Sequence, residues 1–311
     1  MTGIVTKSTG SWCKVRTEEG IIIPCRLRGQ FRIKGIKTTS PVVVGDHVTF
    51  SIGKDNSGYI THIEPRTNYI ERKSTNLSKI SHLIAANIDL AFLVITLKKP
   101  RTSLGFINRF LIATESYRIP VCLIFNKTDL YNTQETAVLS EWQELYESIG
   151  YQTLKTSVPN VMGIEKLKTL MHNKVSLLSG HSGTGKSALV NAIDPSFKLK
   201  IGAISGYHDK GMHTTTFAQM FSIPSGGDII DTPGIKEFGL IQYSKTEIRD
   251  YFPEIRAYNN CCKFQNCLHI HEPECAVRKA TEEGKISPSR YANYLAILQD
   301  EDLKIAEWQL R

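Results

Sequence analysis

The first 65 residues alternate short apolar and polar stretches at the spacing of β-strands. Five such stretches are separated by turns that contain Gly, Asn, Asp or Ser, as expected in a small all-β domain. They are GIVTKS at 3–8, SWCKVRT at 11–17, GIIIPCRL at 20–27, VVVGDHVTF at 42–50 and GYITHIE at 58–64. Five strands in so short a segment predict a small barrel. The OB-fold is the first candidate, because it is a five-stranded barrel that binds oligonucleotides, and other small barrels are the alternatives.

Beyond about residue 80, continuously apolar runs replace the short alternating strands. DLAFLVIT at 89–96 and PVCLIFN at 120–126 have the composition of strands that are buried on both faces. Further strands are predicted at 151–157, 174–180, 217–222 and 228–231. Because helical patterns separate most of these strands, the segment is predicted to be an α/β domain with a largely parallel sheet.

The helical patterns lie at 103–118, 135–149 and 163–172 and again from residue 186. The second carries an apolar stripe, predicted to face the core, that consists of Val138, Trp142, Leu145 and Ile149. From residue 244 the chain is predicted to be mostly helical, with a final polar helix around 288–309. The polar, basic segment at 65–76 is predicted to be a linker. The pattern as a whole predicts three domains, at 1–68, 69–243 and 244–311.

Composition and charge narrow the class of protein and the class of partner. Apolar residues make up 41% and charged residues 22% of the 311, as in globular proteins. The first 80 residues carry 13 Lys and Arg against 6 Asp and Glu, and so hold most of the net charge of +8. A basic first domain favours a polyanion such as a nucleic acid over a merely solvated surface. The sequence shows neither a secretory signal nor a membrane-spanning run, so a cytoplasmic location is expected.

A basic segment, RLRGQFRIKG at 26–35, lies between two predicted barrel strands. It surrounds one aromatic residue with four cations: Arg26, Arg28, Phe31, Arg32 and Lys34. The cations could hold RNA phosphates while the ring stacks on a base. The alternative is a solvated basic loop with Phe31 in the core.

GHSGTGKS at 180–187 matches the phosphate-loop pattern G-x-x-x-x-G-K-[ST] at every fixed position. It follows a predicted strand and opens a predicted helix, which is the context that this pattern requires. Lys186 is expected to reach the β- and γ-phosphates of a nucleotide, and Ser187 to supply a hydroxyl to Mg²⁺. The loop and the helix start would surround the phosphates. Their residues are Gly180, His181, Ser182, Gly183, Thr184, Gly185, Lys186, Ser187 and Ala188.

NKTD at 126–129 follows a buried strand and matches the guanine-reading motif of GTPases. The Asp129 carboxylate can accept from both the N1–H and the exocyclic amine of guanine, a pair of donors that adenine lacks. The Asn126 side chain is expected to hold this loop in place and to reach the edge of the base. The aliphatic part of the Lys127 side chain is expected to lie over the guanine ring. The motif assigned to GTP is therefore Asn126, Lys127, Thr128 and Asp129. A weaker match, KTS at 155–157, would add backbone contacts to the base at Ser157 and Val158.

Two segments after the phosphate loop match the switches of GTPases. In DTPG at 231–234, Asp231 is placed to hold Mg²⁺ through water, and the Gly234 N–H to sense the γ-phosphate. In GMHTTT at 211–216, a threonine is expected to ligate Mg²⁺ when GTP is bound. Thr215 is the first candidate, and Thr214 and Thr216 are the alternatives.

The residue that orients the attacking water is missing from its usual place. Ile235 follows DTPG, where many GTPases carry a Gln, and an Ile side chain cannot polarise water. His213, beside the switch threonines, is the candidate for this role, and the alternative is a surface histidine. The candidate catalytic residues are therefore His213, Lys186 and Thr215. We expect His213→Ala to lower turnover more than GTP affinity.

The motifs occur in an unusual order, because the base-reading motif at 126–129 precedes the phosphate loop at 180–187. In ordinary GTPases the phosphate loop comes first. Joining the usual ends and cutting elsewhere gives the order found here, so the sequence predicts a circularly permuted GTPase domain. Its switches come last and lead directly into the C-terminal region, so a γ-phosphate-dependent movement could be passed on to that region.

CCKFQNCLHIHEPEC at 261–275 concentrates thiols and imidazoles in a short stretch. Three thiolates and one imidazole at suitable spacing would form a closed, tetrahedral, structural Zn²⁺ site. The predicted ligands are Cys262, Cys267, His269 and Cys275. Cys261 and His271 are spare residues that could compete as ligands.

These features together are similar to one known family. On the barrel pattern, the motifs NKTD, GHSGTGKS, HTTT and DTPG and the Cys/His spacing, the chain resembles the circularly permuted bacterial ribosome small subunit-dependent GTPase A family. The resemblance covers almost the whole chain and implies GTP hydrolysis stimulated by the small subunit, rRNA contacts by the barrel and zinc domain, and release on hydrolysis. It also implies a hydrophobic residue at Ile235 and a catalytic candidate at His213. The chain departs from the family at Met212, which the family usually has as Arg, and at His181 and Ala188.

The motifs predict a three-domain GTP hydrolase, and the resemblance implies that it assists late maturation of the small ribosomal subunit. Its expected ligands are GTP or GDP with Mg²⁺ and one Zn²⁺, its expected partner is the small subunit with its rRNA, and it is expected to be monomeric. The alternatives are a permuted GTPase for the large subunit, an RNA-binding module that senses GTP without turnover, and an ATPase, which Asp129 disfavours. Ile235 keeps the second alternative open.

Overall fold

The computed structural model describes residues 1–9, 12–27, 41–73, 81–195, 218–224, 226–231 and 243–299. These residues form an N-terminal barrel, a central α/β sheet with helices on both faces and a C-terminal helical region, which confirms the predicted fold class. Among them, no helix has the length and apolar character needed to cross a membrane.

The barrel consists of β1 (Thr2–Ser8), β2 (Trp12–Arg16), β3 (Ile22–Leu27), β4 (His47–Ile52) and β5 (Gly58–Ile63). The strands pair in the order β1-β2-β3-β5-β4, and β4 closes on β1. Alternate side chains point inward, since a strand turns successive residues to opposite faces. The core contains Val5, Cys13, Val15, Cys25, Val42, Val48, Phe50 and Ile60. Closure around this core confirms the predicted OB-like barrel.

The prediction of a strand over 42–50 was wrong for the first half of this segment, because a turn precedes β4. Gly45 has a φ of +90°, and a Cβ there would lie 2.0 Å from the carbonyl oxygen of Ala86. The Asp46 carboxylate accepts a hydrogen bond of 2.8 Å from the Val43 N–H and pairs with Arg66 at 2.6 Å. The valines before the turn are buried, so their apolar run resembled a strand.

The linker predicted at 65–76 was also wrong, since part of it is a strand. β6 (Tyr69–Lys73) pairs antiparallel with β7 (Ser81–Ala86) in a separate two-stranded sheet. Ile70, opposite Ala85, is buried in the core of the central domain. Backbone pairing and one buried side chain thus outweigh the polar composition of this segment.

The central sheet contains β8 (Leu90–Ile95), β9 (Val121–Phe125), β10 (Gln152–Lys155), β11 (Val175–Ser179), β12 (Gln219–Ser222) and β13 (Asp228–Asp231). The order is β10-β9-β8-β11-β13-β12, with only β12 antiparallel. β12 also pairs with β1, so the barrel and the central domain share one sheet. Arg16 strengthens this junction with two hydrogen bonds to Asp228, of 2.6 and 2.7 Å.

Helices cover both faces of this sheet. Their bounds are Leu104–Ser116 for α1, Thr133–Ser148 for α2, Ile164–Met171 for α3 and Lys186–Ile193 for α4. α1 and α2 contribute to the apolar cluster on one face, and α3 and α4 to the cluster on the other. The buried residues of α2 are Leu139 and Tyr146, so the predicted stripe is only its half-buried border.

The C-terminal region is helical, as predicted. It contains α5 (Lys245–Asp250), α6 (Pro253–Arg256), α7 (Ala276–Glu282) and α8 (Pro288–Leu298). The helices share an apolar core that includes Phe252, Ile255, Val277 and Tyr294. The part of the predicted last helix beyond residue 299 lies outside the described residues.

Candidate functional site

The phosphate-loop segment joins the end of β11 to the start of α4. Its glycines adopt positive φ angles, +138° at Gly180, +83° at Gly183 and +98° at Gly185. A Cβ at Gly185 would lie 2.4 Å from the side-chain nitrogen of Asn126, so only glycine fits this close approach. The contact with Asn126 therefore explains the glycine at position 185.

Lys186 points back into the loop that precedes it. Its ammonium group donates to the carbonyl oxygens of Gly180 at 2.7 Å and His181 at 2.8 Å. The Thr184 hydroxyl also donates to the His181 carbonyl, at 2.9 Å. The loop thus encloses a cation at the N-terminal end of α4, where backbone N–H groups and the helix dipole favour a bound anion.

Asn126 connects three segments of the candidate site. Its side-chain amide donates to the Thr184 carbonyl at 2.9 Å, and its side-chain oxygen accepts from the Thr156 hydroxyl at 2.9 Å. The side chain is buried, and Tyr131 donates a hydrogen bond of 2.7 Å to its backbone carbonyl. The end of β9, the end of β10 and the phosphate loop are thereby held together.

Lys127 adds a second tie to the phosphate loop. Its ammonium group donates to the carbonyl oxygens of Gly183 and Lys99, each at 2.6 Å. Lys127 itself has a φ of +61°, which turns the chain away from β9. The Lys99 contact was not predicted, because nothing local in the sequence marks that carbonyl.

Asp129, the last residue of the NKTD segment, is exposed to solvent. One carboxylate oxygen accepts a hydrogen bond of 2.6 Å from the Ser157 hydroxyl. The Thr128 hydroxyl donates to the Thr156 carbonyl at 3.1 Å. The structure therefore brings the NKTD and KTS segments together, and Val158 lies directly beyond them. The carboxylate is oriented by Ser157 and remains accessible to a ligand.

Several predicted site residues lie outside the described residues: His213, Thr215, Gly234, Ile235, Arg28, Phe31, Arg32 and Lys34. The backbone of Asp231 ends β13, opposite Gln219 of β12. Arg26 is described, and its guanidinium group lies 4.0 Å from the centre of the Trp12 ring. Trp12 is 39% exposed and was not predicted. Its outward position on β2, opposite Arg26 on β3, is the signal that could have identified it.

The four predicted metal ligands converge at one point in the C-terminal region. The ligand atoms of Cys262, Cys267, His269 and Cys275 all lie within 4.8 Å of one another. The Nδ1 atom of His269 is 3.5 Å from the Cys262 sulfur and 3.3 Å from the Cys275 sulfur. Cys261 is exposed and outside this cluster, as is His271. The donor set of three sulfurs and one nitrogen suits Zn²⁺.

The surroundings of His269 are suited to metal binding. Its Nε2 atom is 3.0 Å from the side-chain oxygen of Asn259, an arrangement that leaves Nδ1 for a metal. Burial lowers the pKa of His269 to about 4, so the ring is neutral at pH 7. Burial raises the pKa of the Cys267 thiol to about 12. A divalent cation would offset the cost of forming thiolates here, so the residues present fit the metal.

Glu272 shapes the loop that carries these ligands. Its carboxylate accepts hydrogen bonds from the N–H groups of Leu268, Ile270 and His271, at 2.7, 2.8 and 3.1 Å. Burial alone would raise the pKa of Glu272, but these backbone donors hold it at about 2. The carboxylate therefore stays ionised and fixes the turn between His269 and Cys275.

Comparison with known proteins gives consistent matches along the chain. A family model described as RsgA GTPase matches residues 63–241, and one described as RsgA N-terminal domain matches residues 2–60. A relative from Phocaeicola vulgatus, named small ribosomal subunit biogenesis GTPase RsgA, is 51% identical over 302 residues, covering 97% of each chain. A relative of the same name from Christiangramia forsetii is 50% identical over 305 residues, again covering 97% of each.

Two solved structures are similar over almost the whole chain. YjeQ from Thermotoga maritima is 34% identical with a TM-score of 0.79, covering 96% of this chain and 98% of that one. YloQ, described as a circularly permuted GTPase, is 27% identical with a TM-score of 0.75, covering 96% and 94%. The similarity extends through all three regions of the fold.

Proposed function

The chain belongs to the RsgA GTPase family and is a GTPase, and we propose that its hydrolysis of GTP assists maturation of the small ribosomal subunit. The observation that carries the GTP-binding part of this proposal is the joining of the base-reading and phosphate-loop segments by Asn126. Curated relatives that are about half identical over 97% of the chain carry the name of this function.

In this proposal GTP lies across the segments that Asn126 joins. Asp129 accepts the donors of guanine, and the loop at 180–188 surrounds the phosphates. Mg²⁺ would be held by Ser187, Thr215 and Asp231, and when bound it would neutralise charge on the phosphate oxygens. His213 would orient the attacking water in place of the Gln that Ile235 replaces. The enclosed Lys186 ammonium and the positive-φ glycines support the phosphate assignment.

We further propose that the barrel contacts rRNA. The basic segment of Arg26, Arg28, Phe31, Arg32 and Lys34 would supply cations and one aromatic ring. The exposed Trp12 ring against Arg26 supports this assignment, because an aromatic ring beside a cation favours a stacked base next to a phosphate. The domain division at 1–68, 69–243 and 244–311 is part of the same proposal.

The C-terminal cluster is proposed to hold one structural Zn²⁺ through Cys262, Cys267, His269 and Cys275. The ion would be four-coordinate with no open position, so it would stabilise the region rather than take part in the reaction. The convergence of four buried or half-buried donors within 4.8 Å supports this assignment.

The deciding experiment measures GTP turnover by the full chain alone, with isolated small subunits and with isolated large subunits. Stimulation by small subunits only is expected. Stimulation by large subunits only would move the function to the other particle. Tight GTP binding without stimulation by either would favour the second candidate, a GTP-sensing RNA-binding protein, which Ile235 supports because it cannot orient water.

A further inference from the structure

The first turn of α1 is in direct contact with the phosphate loop. The Phe106 ring stacks on the His181 imidazole, with ring centres 3.9 Å apart and planes inclined by 29°. The backbone carbonyl of the same His181 accepts a hydrogen bond from the Lys186 ammonium group. Phe106 therefore contacts the loop at the residue whose carbonyl places the lysine.

The charge state of His181 favours this stack. Burial, together with the nearby Lys186 cation, lowers the pKa of His181 below its ordinary value. The imidazole is therefore neutral at pH 7, and two neutral aromatic rings are packed together. Protonation would instead place a second cation beside Lys186.

Another face of α1 is attached to the C-terminal region. The Asn108 side-chain oxygen accepts a hydrogen bond from the Arg290 guanidinium group on α8. Ile112, one helical turn later, is buried in the apolar core of the C-terminal region. Glu115 pairs with Arg256 at 3.4 Å. Residues 108, 112 and 115 share one side of the helix. This side of α1 therefore packs against the C-terminal region, which carries the four candidate metal ligands.

We propose that Phe106 is a positioning residue for nucleotide binding, and that α1 transmits the arrangement of the C-terminal region to the phosphate loop through the Phe106–His181 stack. A helix is a rigid element, so a displacement at Asn108 moves Phe106 as well. This inference rests on the proposed binding of the GTP phosphates by the loop at 180–188.

The first test measures the Kd of GDP and of a non-hydrolysable GTP analogue for the full chain. Phe106→Ala is expected to raise both Kd values about 3- to 10-fold, which corresponds to the loss of one aromatic stack. Phe106→Tyr keeps the ring and is expected to restore the wild-type Kd. Ile107→Val is the matched control, because it removes a buried methyl group from the neighbouring residue and keeps the stack. It is expected to lower Tm without changing Kd.

The outcomes separate the inference from its premise. If the wild-type chain binds neither nucleotide, the proposed function itself is wrong. If the wild-type chain binds and Phe106→Ala binds equally well, only the positioning role is overturned. An increase in Kd from Ile107→Val equal to that from Phe106→Ala would also overturn it, because general destabilisation would then explain both.

The second test measures transmission by a double-mutant cycle. Asn108→Ala removes one acceptor of Arg290 but leaves its pair with Glu254, so the chain is expected to fold. This change is expected to raise the nucleotide Kd about 2-fold or more in the wild-type background and to have no further effect with Phe106→Ala. Transmission through the stack would be overturned if Asn108→Ala raised the Kd by the same factor in both backgrounds. It would also be overturned if Asn108→Ala changed the Kd in neither background.

Discussion

The side-chain amide of Asn126 donates a hydrogen bond of 2.9 Å to the backbone carbonyl of Thr184. This bond joins the base-reading segment to the phosphate loop, although 58 residues separate the two in the sequence. The reversed motif order therefore does not prevent the two segments from meeting, because the sheet places the ends of β9 and β11 at the same edge.

Asn126→Asp is expected to weaken nucleotide binding at least about 5-fold. The substitution replaces a buried donor with an acceptor that faces the Thr184 carbonyl, and an unmatched buried polar contact costs about 1–3 kcal/mol. Nucleotide titration would measure the loss of affinity, and urea unfolding would measure the loss of stability. Asn132→Ala is the control, since it removes the cap of α2 and costs about 1 kcal/mol. An equal loss of affinity in the control would contradict the role of Asn126.

Asp129→Asn is expected to shift base preference from guanine toward xanthine. The amide cannot accept from both donors of guanine, whereas xanthine presents an acceptor where guanine has its amine. Competition between GTP and XTP for the purified chain would measure the shift. Glu141→Gln, an exposed carboxylate change on α2, should leave the preference unaltered. An unchanged preference in Asp129→Asn would remove this residue from base recognition.

Cys262→Ser and Cys261→Ser form a matched pair of adjacent substitutions. Only the Cys262 sulfur belongs to the convergent cluster, and Cys261 is exposed. Cys262→Ser is expected to lose about one zinc ion per chain and to lower Tm by about 5 to 10 °C, because metal binding stabilises the fold. Metal analysis and thermal unfolding would detect this. Loss of zinc from both variants would show that the cluster has been assigned the wrong ligands.

Arg290→Met is expected to lower the free energy of unfolding by about 3–5 kcal/mol, because it leaves the Glu254 carboxylate buried without its partner. Arg290 and Glu254 are almost completely buried and lie 2.6 Å apart. Lys263→Met breaks an ion pair of the same length that is exposed to solvent, and should cost less than about 1 kcal/mol. Denaturant unfolding of both variants tests the comparison, and equal costs would contradict it.

The site segments could be predicted from the sequence because each is a local pattern. The phosphate loop needs glycines at fixed spacing, and their positive φ angles confirm that requirement. The four candidate metal ligands also lie within a short stretch, so their spacing predicted the set with Cys262, while Cys261 and His271 stayed possible competitors; the structure brings Cys262, and not Cys261, into the cluster. The apolar strands of the central sheet were predicted for the same reason, since burial on both faces produces a continuous run.

The contacts between distant segments could not be predicted. Arg290 and Asn108 are 182 residues apart, and no local pattern indicates that they meet. The same is true of Phe106 and His181, whose stack depends on how α1 packs against the sheet. β6 was missed because its stability comes from pairing with β7 rather than from its own composition.

The shared sheet has a consequence for any shortened form of the chain. β12 has β13 on one side and β1 of the barrel on the other. β1 pairs with β12 at Lys7 and Gln219, so a fragment that begins after the barrel would leave this part of the β12 edge open to pairing with another molecule. The barrel therefore also covers part of the edge of the GTPase sheet, and its removal is expected to favour self-association.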